Sequence, residues 1–224
     1  MSIFDILGPV MVGPSSSHTA GAVRIGLMAR RLLKQRPIYA DIGLYGSFAA
    51  TYHGHGTDRA IAAGLLGMQP DDTRIPSSLE IAEAQGLKIF FSTVDIPGAH
   101  PNTAVITLLG EEGNRIVIQA SSIGGGRIMI NKIDGIDVNF NAENPTIIVH
   151  NSDQPGHVAH VTTLLSKNRI NIATMQLYRN ERGGYAVMVL ETDQHIPPDI
   201  ISEIEKFDGV IKVTYINGGT EDAV

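Results

Sequence analysis

The chain has no cysteine and no tryptophan among its 224 residues, and aromatic residues account for only 5% of it. Without thiols it can form no disulfide, provide no cysteine nucleophile and supply no thiolate ligand to an iron–sulfur cluster. A cluster bound to this chain's own cysteines is therefore excluded.

Long apolar runs and clustered positive charge are also scarce. No apolar stretch approaches the roughly 20 residues that a bilayer-spanning helix needs, and the first ten residues lack the basic and long apolar regions of a signal peptide. Lys+Arg number 17 and Asp+Glu 23, a net charge of -6, and the one basic cluster, residues 30–36, lies at a predicted helix end. These features predict a cytoplasmic protein that binds neither membranes nor nucleic acid.

The rest of the composition is that of a folded globular protein. Hydrophobic residues make up 43% of the chain and charged residues 18%, and the length predicts one or two domains. A polar stretch at residues 141–145 separates two different patterns of secondary structure. We therefore predict domains over residues 1–143 and 146–219.

The first domain is predicted to have a mixed α+β fold. Pro37 ends a helix that begins in a serine run, and Ser77 with Glu80 forms a predicted capping box. Helices are predicted over residues 15–36, 57–67 and 77–86, and strands over 38–44, 87–92, 103–109, 115–121, 127–132 and 135–140.

The second domain is predicted to have the βαββαβ order of a ferredoxin-like fold. Strands are predicted over residues 146–150, 170–179, 185–192 and 210–216, with one helix after residue 156 and another over 196–207. With this order and the turn Asp153-x-Pro155-Gly156, the segment resembles an ACT domain, a regulatory module of many amino-acid-metabolising enzymes. The resemblance implies self-association of this domain and an effector site at Asp153, Pro155 and Gly156; alternatively, the modules pair without a ligand. His157 and His160 are predicted to be surface histidines.

Four segments of the first domain concentrate serine, histidine and glycine. They are residues 13–19, 52–58, 100–103 and 121–127. Taken singly, the serine run is typical of helix capping and the glycine-rich segments are typical of turns. Taken together, they bring histidines, hydroxyls and backbone amides into the loops of one domain, which predicts a single pocket.

Two of these segments have the chemistry of carboxylate binding. The serine run precedes a helix, whose first amides lack internal acceptors and attract anions. The glycine run can curl its amides into a second concave anion site, beside which Arg127 could clamp a carboxylate. The candidate substrate ligands are Ser15, Ser16, Ser17, Thr19, Gly124, Gly125 and Gly126.

The loop histidines are candidates for proton transfer. His18, His53, His55 and His100 carry groups that exchange protons near neutral pH. Zinc ligation by the first three is an alternative, but the glycines around the His-x-His pair favour a mobile substrate loop over a rigid ligand set. Asp58 is predicted to be the N-cap of the next helix.

In their order, these motifs resemble the beta subunit of the bacterial iron–sulfur L-serine dehydratases. The resemblance rests on Gly13-Pro-Ser-Ser-Ser-His-Thr19, Tyr45-Gly-Ser-Phe-Ala49, Gly54-His-Gly-Thr-Asp58, His100-Pro-Asn102 and Ser122-Ile-Gly-Gly-Gly126. It extends over essentially the whole chain, including the ACT-like region. The half before Asn141 is also similar to the allosteric substrate-binding domain of some D-3-phosphoglycerate dehydrogenases.

The resemblance implies a lyase that converts L-serine to pyruvate and ammonia, in amino-acid metabolism and gluconeogenesis. It implies a heterodimer with a cysteine-bearing alpha subunit, whose [4Fe-4S] cluster acts as a Lewis acid on the serine hydroxyl. It makes His53 or His55 the candidate base for the Cα proton and adds His18 to the catalytic residues. His100 and Asn102 join the candidate substrate ligands, and no metal is expected on this chain.

Two other functions fit parts of the sequence. A non-catalytic, amino-acid-binding regulatory protein would share the carboxylate-binding features but has no use for so many loop histidines. A metal-dependent hydrolase built on His53 and His55 would contain zinc and need no partner. The dehydratase hypothesis predicts instead that the isolated chain is inactive and free of iron.

Overall fold

The computed structural model describes residues 10–52 and 54–218 of the chain. It divides into two compact units, with the boundary between Asn141 and Ala142. None of the helices in the described ranges is long and apolar enough to cross a membrane.

The first unit is a six-stranded sheet with helices packed on one face. Its strands are β1 (Pro37–Gly46), β2 (Lys88–Thr93), β3 (Asn102–Gly110), β4 (Arg115–Gly124), β5 (Arg127–Ile133) and β6 (Ile136–Phe140). Its helical elements are a π-helical segment (Ser16–Gly21), α1 (Ala22–Leu33), α2 (Ser47–Ala50), α3 (Thr57–Leu65), a 3₁₀ turn (Ile75–Ser77) and α4 (Ser78–Ala84). The strand order is β2-β1-β3-β4-β5-β6, and only the β1–β2 pair is parallel. The predicted mixed α+β fold is confirmed.

Helices α1 and α3 cross at two glycines, which allow their backbones to approach closely. A Cβ atom added to Gly64 would lie 2.1 Å from the carbonyl oxygen of Val23 and 2.9 Å from the Cα atom of Gly26. Backbone atoms of two packed helices cannot move aside as a flexible side chain can. Gly64 is therefore required by packing, although glycine is a poor helix former.

The predicted capping box at the start of α4 is wrong. Ser77 is the N-cap residue, but its side chain makes no capping hydrogen bond to the described residues. The hydroxyl of the next residue, Ser78, donates instead to the carbonyl of Arg59 at 2.7 Å. A buried serine thus fastens α4 to α3. Ser77 itself ends a 3₁₀ turn (Ile75–Ser77) that leads directly into α4, so its backbone lacks the extended conformation of a capping serine.

The second unit has the predicted βαββαβ order. Its elements are β7 (Thr146–Ser152), α5 (His157–Lys167), β8 (Ile172–Arg179), β9 (Tyr185–Thr192), α6 (Pro198–Glu205) and β10 (Val210–Ile216). The antiparallel sheet has the order β10-β7-β9-β8. Alternate strand residues such as Val149, Leu190 and Val213 join residues of both helices in one apolar core. The predicted ferredoxin-like fold is confirmed.

His150, at the centre of strand β7, is a buried histidine of this sheet. Only 2% of its surface is exposed. Its Nδ1 atom is hydrogen-bonded to the Tyr185 hydroxyl, and its Nε2 atom has no partner among the described residues. Burial, and to a lesser extent the charge of Lys212 on the neighbouring strand, lowers the pKa of His150 to about 4. The imidazole is therefore neutral at physiological pH.

Gly64→Ala is expected to destabilise the chain. In an exposed helix this change stabilises by about 0.5–1 kcal/mol, but here the added methyl group overlaps the backbone of α1, at a cost of about 1–3 kcal/mol. Urea denaturation followed by circular dichroism measures the free energy of unfolding. Glu83→Ala on the exposed face of α4 is the control, with an expected change below about 0.5 kcal/mol. Equal or greater stability of Gly64→Ala would contradict the close helix contact.

His150 is expected to make the chain less stable as the pH falls from about 6.5 to about 4. In that window an unfolded histidine binds a proton that the folded chain does not, so stability rises with pH, by about 3 kcal/mol for a shift of this size. Urea denaturation at several pH values compares the wild type with His150→Gln. The variant should lose this part of the pH dependence, whereas His195→Gln, at an exposed site, should retain it. Identical pH profiles for wild type and His150→Gln would refute the assignment.

Candidate active site

His18 lies at the centre of the candidate site, in the π-helical segment that leads into α1. Ser15 is the N-cap residue, and its hydroxyl accepts a hydrogen bond from the backbone amide of His18 at 3.3 Å. The wider π-helical turn presents side chains differently from an α-helix, and such turns are frequent at functional sites. Ser15 therefore both caps the start of the helix and fixes the backbone of His18.

The imidazole of His18 is held on both sides. Its Nδ1 atom lies 3.3 Å from the Ser15 hydroxyl, and its Nε2 atom lies 3.1 Å from the hydroxyl of Ser47. The ring contacts Phe48 edge-on, with centroids 5.3 Å apart, and the ring of His55, with centroids 4.9 Å apart. Two of the predicted catalytic histidines thus meet.

The surroundings of His18 favour its neutral form. Burial lowers the pKa of His18 most, and the nearby His55 lowers it further, whereas hydrogen bonding to the backbone of Ser47 acts in the opposite direction. A neutral imidazole can accept a proton at one nitrogen and donate at the other. His18 therefore enters the site as an uncharged group.

Ser47 reaches His18 because the chain turns sharply where β1 ends. Gly46 has φ 57° and ψ -123°, a conformation that favours glycine. The amides of Ser47 and Phe48 donate to the carbonyl of Pro101 at 2.8 and 3.4 Å. A Cβ atom at Gly46 would lie 2.6 Å from that same oxygen. The loop that contains His100 is therefore attached to the start of α2.

A network of hydroxyls fixes the other side of this loop. Thr103 Oγ1 lies 2.6 Å from the carbonyl oxygen of His100 and 2.7 Å from the hydroxyl of Ser121. Ser121 in turn lies 2.7 Å from Oδ1 of Asn131. Strands β3, β4 and β5 are thereby linked to the loop through buried or half-buried polar side chains.

The predicted convergence of the four polar segments is visible in these contacts. Ser122 packs so tightly against the π-helical segment that a Cβ on Gly21 would lie 2.0 Å from its hydroxyl. Arg24 of α1 donates to the carbonyl of Gly126 at 2.8 Å. Segments 13–19, 52–58, 100–103 and 121–127 therefore all contact the π-helical segment, α1 or α2.

The candidate carboxylate ligands fall into two groups. Ser16 and Ser17 lie in the first turn of the helix, where amides have no internal acceptor. The hydroxyl of Thr19 is buried and makes no hydrogen bond to the described residues. The glycines 124–126 all have positive φ values of 97°, 62° and 76°, typical of a tight turn. Arg127 is exposed, so the guanidinium that contacts this turn is that of Arg24.

The remaining predicted site residues differ in their surroundings. Nδ1 of His100, an exposed residue, accepts from the amide of Asn102 at 3.1 Å. The side-chain oxygen of Asn102 is buried without a partner among the described residues. His53 lies outside the described residues. His55 is exposed, and its backbone amide donates to Thr51 at 3.1 Å.

The prediction that Asp58 caps α3 is wrong. The helix begins at Thr57 after Gly56, whose φ of 67° makes the sharp entry. Asp58 lies inside the first turn and is buried. Burial of Tyr52, and to a lesser extent the charge of Asp58, raises the pKa of Tyr52. Asp58 was expected at the cap because aspartate is common there, but the left-handed glycine shifts the helix start.

Ser47 and Phe48 both contact His18, although the sequence alone assigned neither residue a role. They belong to the motif Tyr45–Ala49, which the resemblance included. A Gly-Ser pair after a strand is the available signal, but it is also typical of ordinary turns.

The turn of the second unit is occupied by internal contacts. The Asp153 carboxylate accepts from the amide of Gly183 at 2.9 Å and from Arg179 at 3.1 Å. These contacts lower the pKa of Asp153, the Gly183 hydrogen bond most strongly. Pro155 is exposed, and Gly156, with φ 107°, precedes α5. Asp153 thus braces the β8–β9 hairpin against the turn.

The predicted surface position of His157 is wrong. It is buried, with its ring edge-on to Phe207 at a centroid distance of 5.3 Å. His160 is half-buried and stacks on the same ring at 3.8 Å. Within residues 10–52 and 54–218, no three or more His, Asp or Glu side chains are grouped so as to hold a metal ion.

Comparison with known proteins identifies relatives of the whole chain. Residues 2–88 match the family described as "Serine dehydratase beta chain", and residues 145–209 match the ACT domain. The chain is 45% identical to the probable L-serine dehydratase beta chain of Bacillus subtilis, over 96% of this chain and 97% of the relative. It is 38% identical to the L-serine dehydratase beta chain of Peptoniphilus asaccharolyticus, over 91% and 92% of the two chains.

A more distant relative has a different name. The D-3-phosphoglycerate dehydrogenase of Archaeoglobus fulgidus is 29% identical over 96% of this chain, which corresponds to 39% of that protein. The similarity to such dehydrogenases therefore extends beyond the first unit, to which the sequence analysis assigned it. With relatives of the same length at this level of identity, the predicted resemblance is confirmed: the chain belongs to the family of serine dehydratase beta chains and carries an ACT domain.

Proposed function

We propose that this chain is the beta subunit of an L-serine ammonia-lyase, which converts L-serine to pyruvate and ammonia together with a cysteine-bearing alpha subunit. Membership of the family supports the proposal. The observation that carries it is the meeting of His18 and His55, with ring centroids 4.9 Å apart, beside the serine-rich helix start. Proton-exchanging groups and anion-binding amides thereby share one site.

The [4Fe-4S] cluster of the proposed enzyme belongs to the partner subunit. Such clusters are held by cysteine thiolates, and this chain has no cysteine. The donors of the site are imidazoles, hydroxyls and amides, which do not fit the group.

The start of the π-helical segment is the proposed carboxylate site. The amides of Ser16 and Ser17, with the partial positive charge of a helix N-terminus, favour an anion. The unpartnered polar atoms of Thr19 and Asn102 are buried groups that a bound substrate would satisfy. As charge moves toward the carboxylate during loss of the Cα proton, fixed donors stabilise the transition state. Ser15, His100 and Gly124–Gly126 complete the proposed binding set.

His53 or His55 is the proposed base for the Cα proton. The two residues share a glycine-rich segment of the sequence, and His55, which contacts the ring of His18, is exposed and therefore accessible to a substrate. General bases of this kind contribute about 10²–10⁴-fold to a rate. His18 is the third histidine of the proposed catalytic set.

The similarity to D-3-phosphoglycerate dehydrogenases favours a second function, that of a non-catalytic, amino-acid-binding regulatory protein. In the Archaeoglobus fulgidus relative, the similar region is 39% of a longer protein. This alternative retains the carboxylate site and predicts that loss of a loop histidine leaves catalysis by a partner unchanged.

The ACT domain is proposed to pair with a second copy along strand β8. This strand is an edge of the sheet, and edge strands present backbone donors and acceptors to which a further strand can bind. Met175 and Leu177 on it are 43% and 47% exposed. On the neighbouring strand β9, Leu190 lies opposite Met175 and Met188 lies opposite Leu177. Both partners belong to the apolar core, so Met175 and Leu177 are on the helix-covered face of the sheet. Antiparallel pairing of two β8 strands would extend the sheet and cover both side chains.

The turn of Asp153, Pro155 and Gly156 is the proposed effector site of that domain. Gly156 has a backbone conformation that favours glycine, and the amides at the start of α5 follow it. Because Asp153 already binds Gly183 and Arg179, an effector carboxylate would contact the amides rather than replace Asp153.

His55→Gln is expected to abolish most of the dehydratase activity. Glutamine retains the size but cannot take a proton, so kcat should fall by at least about 10²-fold while KM changes little. The measurement is anaerobic pyruvate formation from L-serine by the complex reconstituted with the alpha subunit. His195→Gln, in the second unit, is the control. Full activity of His55→Gln would exclude His55 as the base, and wild-type inactivity in a loaded complex would favour the regulatory alternative.

Leu177→Glu is expected to dissociate the proposed β8–β8 pair. A buried, unpaired carboxylate would have to be desolvated in the interface, so the apparent molar mass in light scattering should fall to that of a monomer. Ile211→Glu is a matched control, because Ile211 is 64% exposed on the opposite edge strand, β10. An unchanged mass for Leu177→Glu, or dissociation by Ile211→Glu, would contradict pairing through β8.

A further inference from the structure

The two serines that bind His18 engage both of its ring nitrogens. The hydroxyl of Ser15 accepts the backbone amide of His18 at 3.3 Å and lies 3.3 Å from Nδ1. Ser47 Oγ lies 3.1 Å from Nε2. A neutral imidazole carries one N–H and one acceptor nitrogen, and its tautomer is set by these partners.

The Ser15 contact favours one of the two tautomers. Because Ser15 already receives the backbone N–H of His18, its own proton is free to be donated to Nδ1 of the same residue. Nε2 then carries the ring proton and donates it to the hydroxyl of Ser47. We infer that Ser47 is a positioning residue, which with Ser15 holds His18 as the neutral, Nε2-protonated tautomer.

Ser47 is suited to this role because its backbone is fixed from two sides. Its amide donates to the carbonyl of Pro101 at 2.8 Å, and its carbonyl accepts from the amide and the hydroxyl of Thr51 at 3.0 and 2.7 Å. The left-handed Gly46 before it cannot take a side chain without strain. The Ser47 hydroxyl, which accepts the proton of Nε2, is therefore held where β1 ends, next to the start of β3, and by its bonds to the end of α2.

Under the proposed function, on which this step rests, the neutral tautomer of His18 assigns different roles to the histidines of the site. A proton taken up by His18 at Nδ1 would require the Ser15 hydroxyl to change from donor to acceptor, and burial opposes the charge that results. His18 therefore stays neutral and does not act as the Cα base.

The tautomer can be measured on the full isolated chain, without the partner. In long-range ¹⁵N–¹H correlation spectra of histidine-labelled protein near neutral pH, His18 is assigned by the signal lost in His18→Gln. The expected pattern is that of protonated Nε2 and unprotonated Nδ1. Protonated Nδ1, or an equal mixture of the tautomers, in the wild type would overturn the inference.

Variants of Ser47 test whether this residue is responsible. Ser47→Ala should convert the His18 pattern to a mixture of tautomers, and Ser47→Thr, which keeps the hydroxyl, should restore it. Ser202→Ala, on the exposed side of α6, should leave it unchanged. An unchanged pattern in Ser47→Ala would overturn the assignment. If that variant does not fold, the Ser47→Thr and wild-type spectra still decide, because loss of the Nε2–H pattern in the folded threonine variant would also overturn it.

Activity of the reconstituted complex separates this inference from the proposed function. Ser47→Ala should lower kcat by about 10²-fold, as expected for a misplaced site group, and Ser47→Thr should recover most of it. A complex that never forms pyruvate, combined with the expected wild-type spectrum, would refute the proposed function and leave the tautomer assignment intact. Full activity of Ser47→Ala with a changed spectrum would refute the positioning role.

Discussion

The buried imidazole of His18 is the group on which the first unit's polar site depends. Its nitrogens join the helix start, through Ser15, to the end of strand β1, through Ser47, which is 29 residues away in the sequence. Ser47 is in turn bound to Pro101 in the loop before β3. Because a buried polar ring must keep its hydrogen bonds, a displacement of any of these segments leaves a nitrogen unpaired. The fold and the site are therefore stabilised by the same few bonds.

Much of the architecture follows from local signals in the sequence. Alternating apolar residues, serine runs and proline stops predict elements whose bounds agree with the structure within a few residues, since these signals act over one or two turns. The convergence of the four polar segments was predictable only as a set, because each also fits an ordinary cap or turn. Asp58 and Ser77 show the limit: a left-handed Gly56 shifts the start of α3, and the 3₁₀ turn before α4 removes the capping geometry of Ser77. Neither feature is visible in the cap residues themselves.

Two features of the structure come from long-range contacts that local reasoning cannot supply. Ser47 gains its role from Pro101 and His18, and a Gly-Ser pair carries no sign of either. His157 lies on a helix that appears amphipathic with exposed histidines, but Phe207 and the glycine turn at Gly209 cover it. In both cases the partner is about 30 to 50 residues away in the sequence. Hydrophobic periodicity describes only a single helix or strand, so it cannot predict such contacts. Site residues of this kind are found by asking which buried polar atoms need a partner.

The chemistry of the proposed site follows from its lack of strong charges. A substrate carboxylate would meet amides and hydroxyls at the start of the π-helical segment, and its negative charge would favour protonation of the nearby His18. Burial opposes that protonation, and so does the donation from Ser15 to Nδ1. Burial and Ser15 therefore keep the imidazole neutral while an anion is bound beside it, and Ser47 holds the ring in place. A histidine held in this way orders the site without competing for the proton that the neighbouring His-x-His loop is proposed to remove.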